Sequence, residues 1–143
     1  VTDLTALFTD LVRAETRLYN RIDAYLRATC DMPLGTLEFL RIIDGHPACR
    51  VQDIAAEVDI TIGATSKAVD RIEARGWCRR EPNPADRRSS LLTLTPAGRE
   101  ALTAATPAFE AAVTESTAAL PAVLVDQLAE ALHRWRLHLE GES

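Results

Sequence analysis

Between Asp3 and about Arg27, apolar residues recur at Leu4, Leu7, Phe8, Leu11, Leu18, Ile22, Tyr25 and Leu26. That three-and-four spacing predicts one long amphipathic helix. Pro33 and Gly35 punctuate the chain, and the dense apolar run Thr36–Ile43 predicts a short helix ending near Gly45, followed by a turn at His46-Pro47. Val51–Val58, with Ile54, Ala55 and Val58 on one face, reads as a third helix. After a brief break at Asp59-Ile60-Thr61, Thr61 is placed to cap a fourth, running through Ala64, Ala68, Val69 and Ile72 to Gly76. The pattern then shifts to strand character at Trp77–Glu81 and Leu91–Thr95, with the turn-rich tip Pro82-Asn83-Pro84-Ala85-Asp86 between them. Pro96, capped by Thr95, opens a fifth helix whose face is marked by Leu102, Ala105, Phe109, Ala112 and Val113, and Pro107 is expected to kink it. Pro121 begins a last helix striped by Leu124, Leu128, Leu132 (or Ala131), Trp135 and Leu139.

Short helices followed by a two-stranded hairpin make a mainly α chain with a small β-hairpin wing, the order of a winged helix-turn-helix. The expected organisation is a single domain over 1–143. Residues 36–99 form the DNA-binding winged helix-turn-helix, and 1–30 with 100–143 form a helical dimerisation region. The flanking apolar stripes need a partner surface, and a second copy of the chain supplies one economically. A two-fold dimer would offer two recognition helices to an inverted repeat.

The chain has 143 residues, 47% of them hydrophobic but only 5% aromatic, which favours helices over a sandwich. The net charge is −5, yet Ile60–Arg99 holds eight basic and four acidic residues, +4, which leaves −9 on the remainder. Such asymmetry fits an anion-binding face on an acidic body, though a solvated arginine-rich surface accounts for it as well. No uninterrupted apolar segment approaches membrane-spanning length, and Asp3 and Asp10 stand where a signal peptide would be basic and then apolar. The chain therefore reads as soluble and cytoplasmic, with no membrane partner.

Cys30, Cys49 and Cys78 are odd in number and widely spaced, which argues against a disulfide framework and a zinc ribbon. Buried packing is the simpler reading of each thiol, since no neighbouring feature marks a reactive thiolate. His46 and Cys49 flank a turn, but two ligands are not a metal site, and His133 and His138 lie five apart, off a shared helical face. Catalysis has no support in any nucleophile–base set, P-loop or GxSxG, and neither cofactor nor metal is expected.

The segments Thr65-Ser66-Lys67-Ala68-Val69-Asp70-Arg71-Ile72-Glu73-Ala74-Arg75-Gly76-Trp77 and Asp86-Arg87-Arg88-Ser89-Ser90-Leu91-Leu92-Thr93-Leu94-Thr95-Pro96-Ala97-Gly98 resemble the MarR-type transcriptional regulators. The specific part is the Asp-x-Arg wing with Leu-Thr-x-x-Gly at fixed distance. The resemblance implies a homodimeric winged-helix DNA binder, usually a repressor, often released by a small anionic aromatic ligand. It assigns Arg88 to the minor groove and Asp86 to holding the wing in place, with Arg87 as a phosphate contact. A planar guanidinium suits a narrow, electronegative groove.

On the fourth helix, Val69 and Ile72 should face the core together with Thr65 or Ala68. Thr61, Ile62, Gly63, Ser66, Lys67, Asp70 and Arg71 then lie on the opposite face. Lys67 and Arg71, four apart, can both reach phosphates, and Ser66 a base edge or phosphate. An ordinary surface pairing of Asp70 with basic neighbours competes with that assignment. Arg50 and Gln52, opening the preceding helix, are candidate backbone contacts. Ile62-Gly63-Ala64 departs from the polar helix start usual in the family, so apolar contact to thymine methyls and shape readout by the wing should carry more of the specificity. Tyr19 and Tyr25 are candidate linings of an effector pocket, with half-buried packing as the simpler account. Two rival readings share the scaffold: a redox- or metal-responsive sensor, and a winged helix used for protein–protein contacts.

Overall fold

Asp3 starts the first helix, α1 (Leu4–Cys30), its carboxylate accepting the Thr5 and Ala6 N–H groups at 3.0 Å each. The computed structural model describes residues 1–141. At its other end α1 stops on Asp31 in the left-handed conformation, with φ 50°, a conformation that Asp tolerates better than most side chains.

The second helix, α2, runs Leu34–Gly45 and so begins two residues before the expected Thr36. Its cap is not local. Asp23 on α1 accepts the Leu34 N–H at 2.8 Å, satisfying an orphan donor of the first turn from eleven residues upstream. Gly35 thus lies inside the helix instead of punctuating the chain.

Helices α3 (Val51–Val58) and α4 (Ile62–Ala74) follow, then strands β1 (Cys78–Pro82) and β2 (Ser90–Leu94), α5 (Pro96–Thr117) and α6 (Ala122–Leu139). The strands pair antiparallel in the register Cys78↔Leu94 to Pro82↔Ser90, each displaced by one residue from the expected span. The Trp77 N–H is not available to β1, because it closes the end of α4 on the Ile72 carbonyl at 3.2 Å, next to Gly76 at φ 77°. Thr95 keeps half a rung, its N–H donating to the Trp77 carbonyl at 3.1 Å, but its carbonyl accepts the Arg99 N–H and its hydroxyl the Gly98 N–H, both at 3.0 Å, so it caps α5. An isolated bridge between Cys49 and Leu92, unexpected from sequence, ties the α2–α3 connection to the outer edge of β2.

The chain divides into two compact units, 1–109 and 110–143. In the first, Leu26, Met32, Leu37, Leu40, Ile54, Val69 and Leu92 form the core. Thr65, not Ala68, takes the third inward position of α4; its buried hydroxyl donates to the Thr61 carbonyl at 2.8 Å. α5 continues through Pro107, two residues before the boundary between the units. Within the second unit, α6 starts on Pro121 as N-cap and has no buried residue. Among the described residues, no single helix is long and apolar enough to cross a membrane.

Candidate nucleic-acid interface

The turn between α3 and α4 sets the pose of α4. Asp59 adopts φ 55°, its N–H returning to the Ala55 carbonyl, and the Thr61 hydroxyl accepts the Ala64 N–H at 3.1 Å. With Thr65, Val69 and Ile72 buried, the face that remains carries Thr61, Ile62, Gly63, Lys67, Asp70 and Arg71, all exposed, with Ser66 half-buried. Ile62 is 61% exposed, an apolar side chain held out to solvent at the front of α4.

Arg80 was counted in the basic segment but given no role by sequence reasoning. In the structure it binds α4 to β1, its Nη2 lying 2.8 Å from Asp70 and its Nη1 3.0 Å from Glu73, while its own N–H donates to Glu73 at 3.1 Å. The competing idea of a surface pairing for Asp70 is therefore realised, with Arg80 as the partner. Asp70 and Glu73, three apart on the helix, were the available signal. Arg75 is also engaged: its Nη1 donates to the Asp31 carbonyl at 2.6 Å, and its guanidinium stacks 3.8 Å over the Trp77 ring. Arg79 pairs with Glu81.

These pairings sort the cations of the basic segment. Among the described residues, Lys67, Arg71, Arg87 and Arg99 enter no ion pair, and all four are exposed; the first three lie on α4 and the wing. Arg88 lies at the wing tip with its side chain 94% exposed, its Nε 3.6 Å from Asp86.

The tip itself is a chain of side-chain-to-backbone bonds. Asn83 Oδ1 accepts the Ala85 N–H at 3.0 Å, and its Nδ2 donates to the Ser89 hydroxyl. Asp86 Oδ1 accepts the Arg88 N–H at 2.9 Å, while its carbonyl accepts the Ser89 N–H. The Asp86 carboxylate thus folds the backbone under Arg88 and holds the guanidinium only loosely, at 3.6 Å, with its side chain open to solvent.

Arg50 is placed otherwise. Its guanidinium holds the Asp53 carboxylate through Nε and Nη2 at 3.1 Å each, while its backbone N–H donates to Asp53 at 2.8 Å. The Arg50 side-chain bond, acting with its backbone bond and charge against burial, keeps Asp53 below the usual carboxylate range. Gln52 beside it is exposed. Tyr19 and Tyr25 project from α1 with about two fifths of their surface exposed.

Burial pushes the thiols of Cys49 and Cys78 up to about 11, so neither is a thiolate at neutral pH. That removes the low-pKa condition a peroxide sensor needs at these two positions.

The MarR family model matches residues 33–90, which span α2 to the start of β2. YwhA of Bacillus subtilis (strain 168), an uncharacterized HTH-type transcriptional regulator, is 40% identical over 93 residues, covering 59% of this chain and 67% of its own. Sco3205, a MarR family transcriptional regulator from Streptomyces coelicolor solved in complex with DNA, superposes with a TM-score of 0.85 at 27% identity, over 97% of this chain and 93% of its own. Wild-type MarR from E. coli shares the fold, with a TM-score of 0.79 at 22% identity over 94% and 97% of the two chains. On family match, relatives and fold together, the chain belongs to the MarR family of winged helix-turn-helix, DNA-binding transcriptional regulators, which are not enzymes.

Proposed function

We propose that this chain acts in the cytoplasm as a homodimeric repressor on a palindromic operator, released by a small aromatic or anionic effector. The observation that carries the DNA-contact reading is the sorting of cations. Arg75, Arg79 and Arg80 are spent on protein partners, while Lys67 and Arg71 on α4 and Arg87 and Arg88 on the wing stay exposed. In this reading Lys67, Arg71 and Arg87 take phosphates, and Arg88 enters the minor groove on the backbone turn that Asp86 builds. Thr61, Gly63 and Ser66 approach the major groove with Ile62, whose exposed side chain suits a thymine methyl. Gln52 meets the flanking backbone from α3, and Arg50 can join it only when its guanidinium leaves Asp53.

The dimer is supported by unpartnered apolar surface. On α1, Leu4, Leu7, Phe8, Val12 and Leu18 are exposed, and on α6 so are Leu124, Leu128, Trp135 and Leu139. Burying such stripes against a second copy is their cheapest outcome in water. Tyr19 and Tyr25 remain the candidates for effector contact, and an effector acts only by preferring one dimer geometry over the other.

Selection of bound sequences from a random DNA pool tests the reading. The expected outcome is an inverted repeat with half-sites about one helical turn apart and thymines where Ile62 would lie. Recovery of no enriched sequence would instead favour a winged helix used for protein contacts.

A further inference from the structure

We propose that His46, Cys49 and Asp53 form a binding site for one thiophilic divalent cation of the zinc type, at the junction of α2, α3 and the wing. His46 ends α2, Cys49 is bridged to Leu92 of β2, and Asp53 lies in the first turn of α3. A ring nitrogen, the Sγ and a carboxylate oxygen of these residues all lie within 4.8 Å of one another. Tetrahedral zinc, with bonds of about 2.0–2.3 Å, holds its donors roughly 3.3–3.8 Å apart, so closure needs movements of about 1 Å. His46 is exposed, so its ring can turn without disturbing the core, and the fourth position is left to water. Thiolate, carboxylate and neutral imidazole together balance a double positive charge.

Asp53 gives the site a consequence. Its Oδ2 accepts the Arg50 N–H at 2.8 Å and the Arg50 Nε at 3.1 Å, while its Oδ1 accepts from Nη2 at 3.1 Å. An incoming dication competes with the guanidinium for this carboxylate. Oδ1 can pass to the ion while Oδ2 keeps the backbone bond that starts α3. As the S–metal bond forms, the Cys49 thiol gives its proton to solvent. Nη2 of Arg50 loses its acceptor, and the nearby dication repels the guanidinium from the one bond left, Nε to Oδ2, so that it swings free. A loaded site then adds one free cation to the DNA-facing surface, a step that rests on the DNA-contact reading above.

Co(II) titrated into the full chain after chelator treatment tests the site. The expected result is one equivalent per chain, with thiolate-to-metal charge-transfer absorption and the d–d bands of a tetrahedral ion. Both should vanish in Cys49→Ser, and affinity should fall about tenfold or more in His46→Ala, an exposed position that leaves the core intact. Arg50→Ala should bind cobalt more tightly, since the competitor is gone. Absence of the thiolate band in the wild type, or its persistence in Cys49→Ser, overturns the site, as does unchanged affinity in His46→Ala. For the release step, the salt slope of DNA binding should steepen by about one per protomer with zinc relative to chelator, and not in Arg50→Ala. Cobalt binding with an unmoved slope overturns the release of Arg50. Loss of DNA binding under both conditions overturns the DNA reading instead, and the cobalt spectrum still decides the site.

Discussion

Gly98 shows how tightly one residue can be specified. A Cβ there would stand 2.8 Å from the Trp77 carbonyl carbon and closer still to its oxygen, so no side chain fits between α5 and the end of α4. Thr95 donates to the Gly76 carbonyl at 2.5 Å and caps α5 on the Gly98 N–H, so the Leu-Thr-x-x-Gly pattern records one packing contact. Gly98→Ala is expected to cost on the order of 3 kcal/mol, read from urea unfolding midpoints at constant m. Asp23 is a second such point. Burial pushes its carboxyl up, but the bonds from Leu34 and Arg27 outweigh that and leave it below its ordinary value. Its folded form binds a proton more weakly than the unfolded chain does. The stability it contributes is therefore complete above the unfolded carboxylate pKa, about 4, and is lost as pH falls through the folded value. Asp23→Asn should lower the unfolding midpoint at pH 7 and differ less from wild type at pH 3; an equal gap at both would show that the charge plays no part.

At the scale of elements, the order of helices and strands was legible because the hydrophobic period changes from 3.6 to 2 at Trp77 and back at Pro96. Element ends were less legible wherever tertiary bonds set them. The start of α2 depends on Asp23, and the strands lose the Trp77 N–H and the Thr95 carbonyl to neighbouring helix ends. The wing motif identified the tip, yet the bracing of α4 was hidden, because Arg80 meets Asp70 and Glu73 only once β1 is docked. Likewise, His46 and Cys49 were visible as a pair, while Asp53 joins them only through the start of α3. Arg80 is only 24% exposed and acts by position. Arg80→Ala should weaken DNA binding about tenfold, the equivalent of ~1.4 kcal/mol, without flattening its salt dependence. Binding titrations at several salt concentrations read both quantities, and a flattened slope would make Arg80 a phosphate contact instead.

For the whole molecule, an acidic chain binds a polyanion only by concentrating its free cations on one surface. The family and fold assign DNA binding to this chain, and the reading proposed above gives the contacts to the cations of α4 and the wing. The apolar stripes of α1 and α6 call for a dimer, so sedimentation should give twice the chain mass, and the unfolding temperature should rise with protein concentration. A concentration-independent monomer would remove the two-fold operator. The most direct measurement is the affinity of wild type and Arg88→Ala for one selected DNA site across a series of salt concentrations. A contact at the wing requires weaker binding in the variant, with the log–log salt slope flatter by about one for each Arg88 that meets DNA. Unchanged affinity and unchanged slope in Arg88→Ala would contradict the assignment of the wing to DNA.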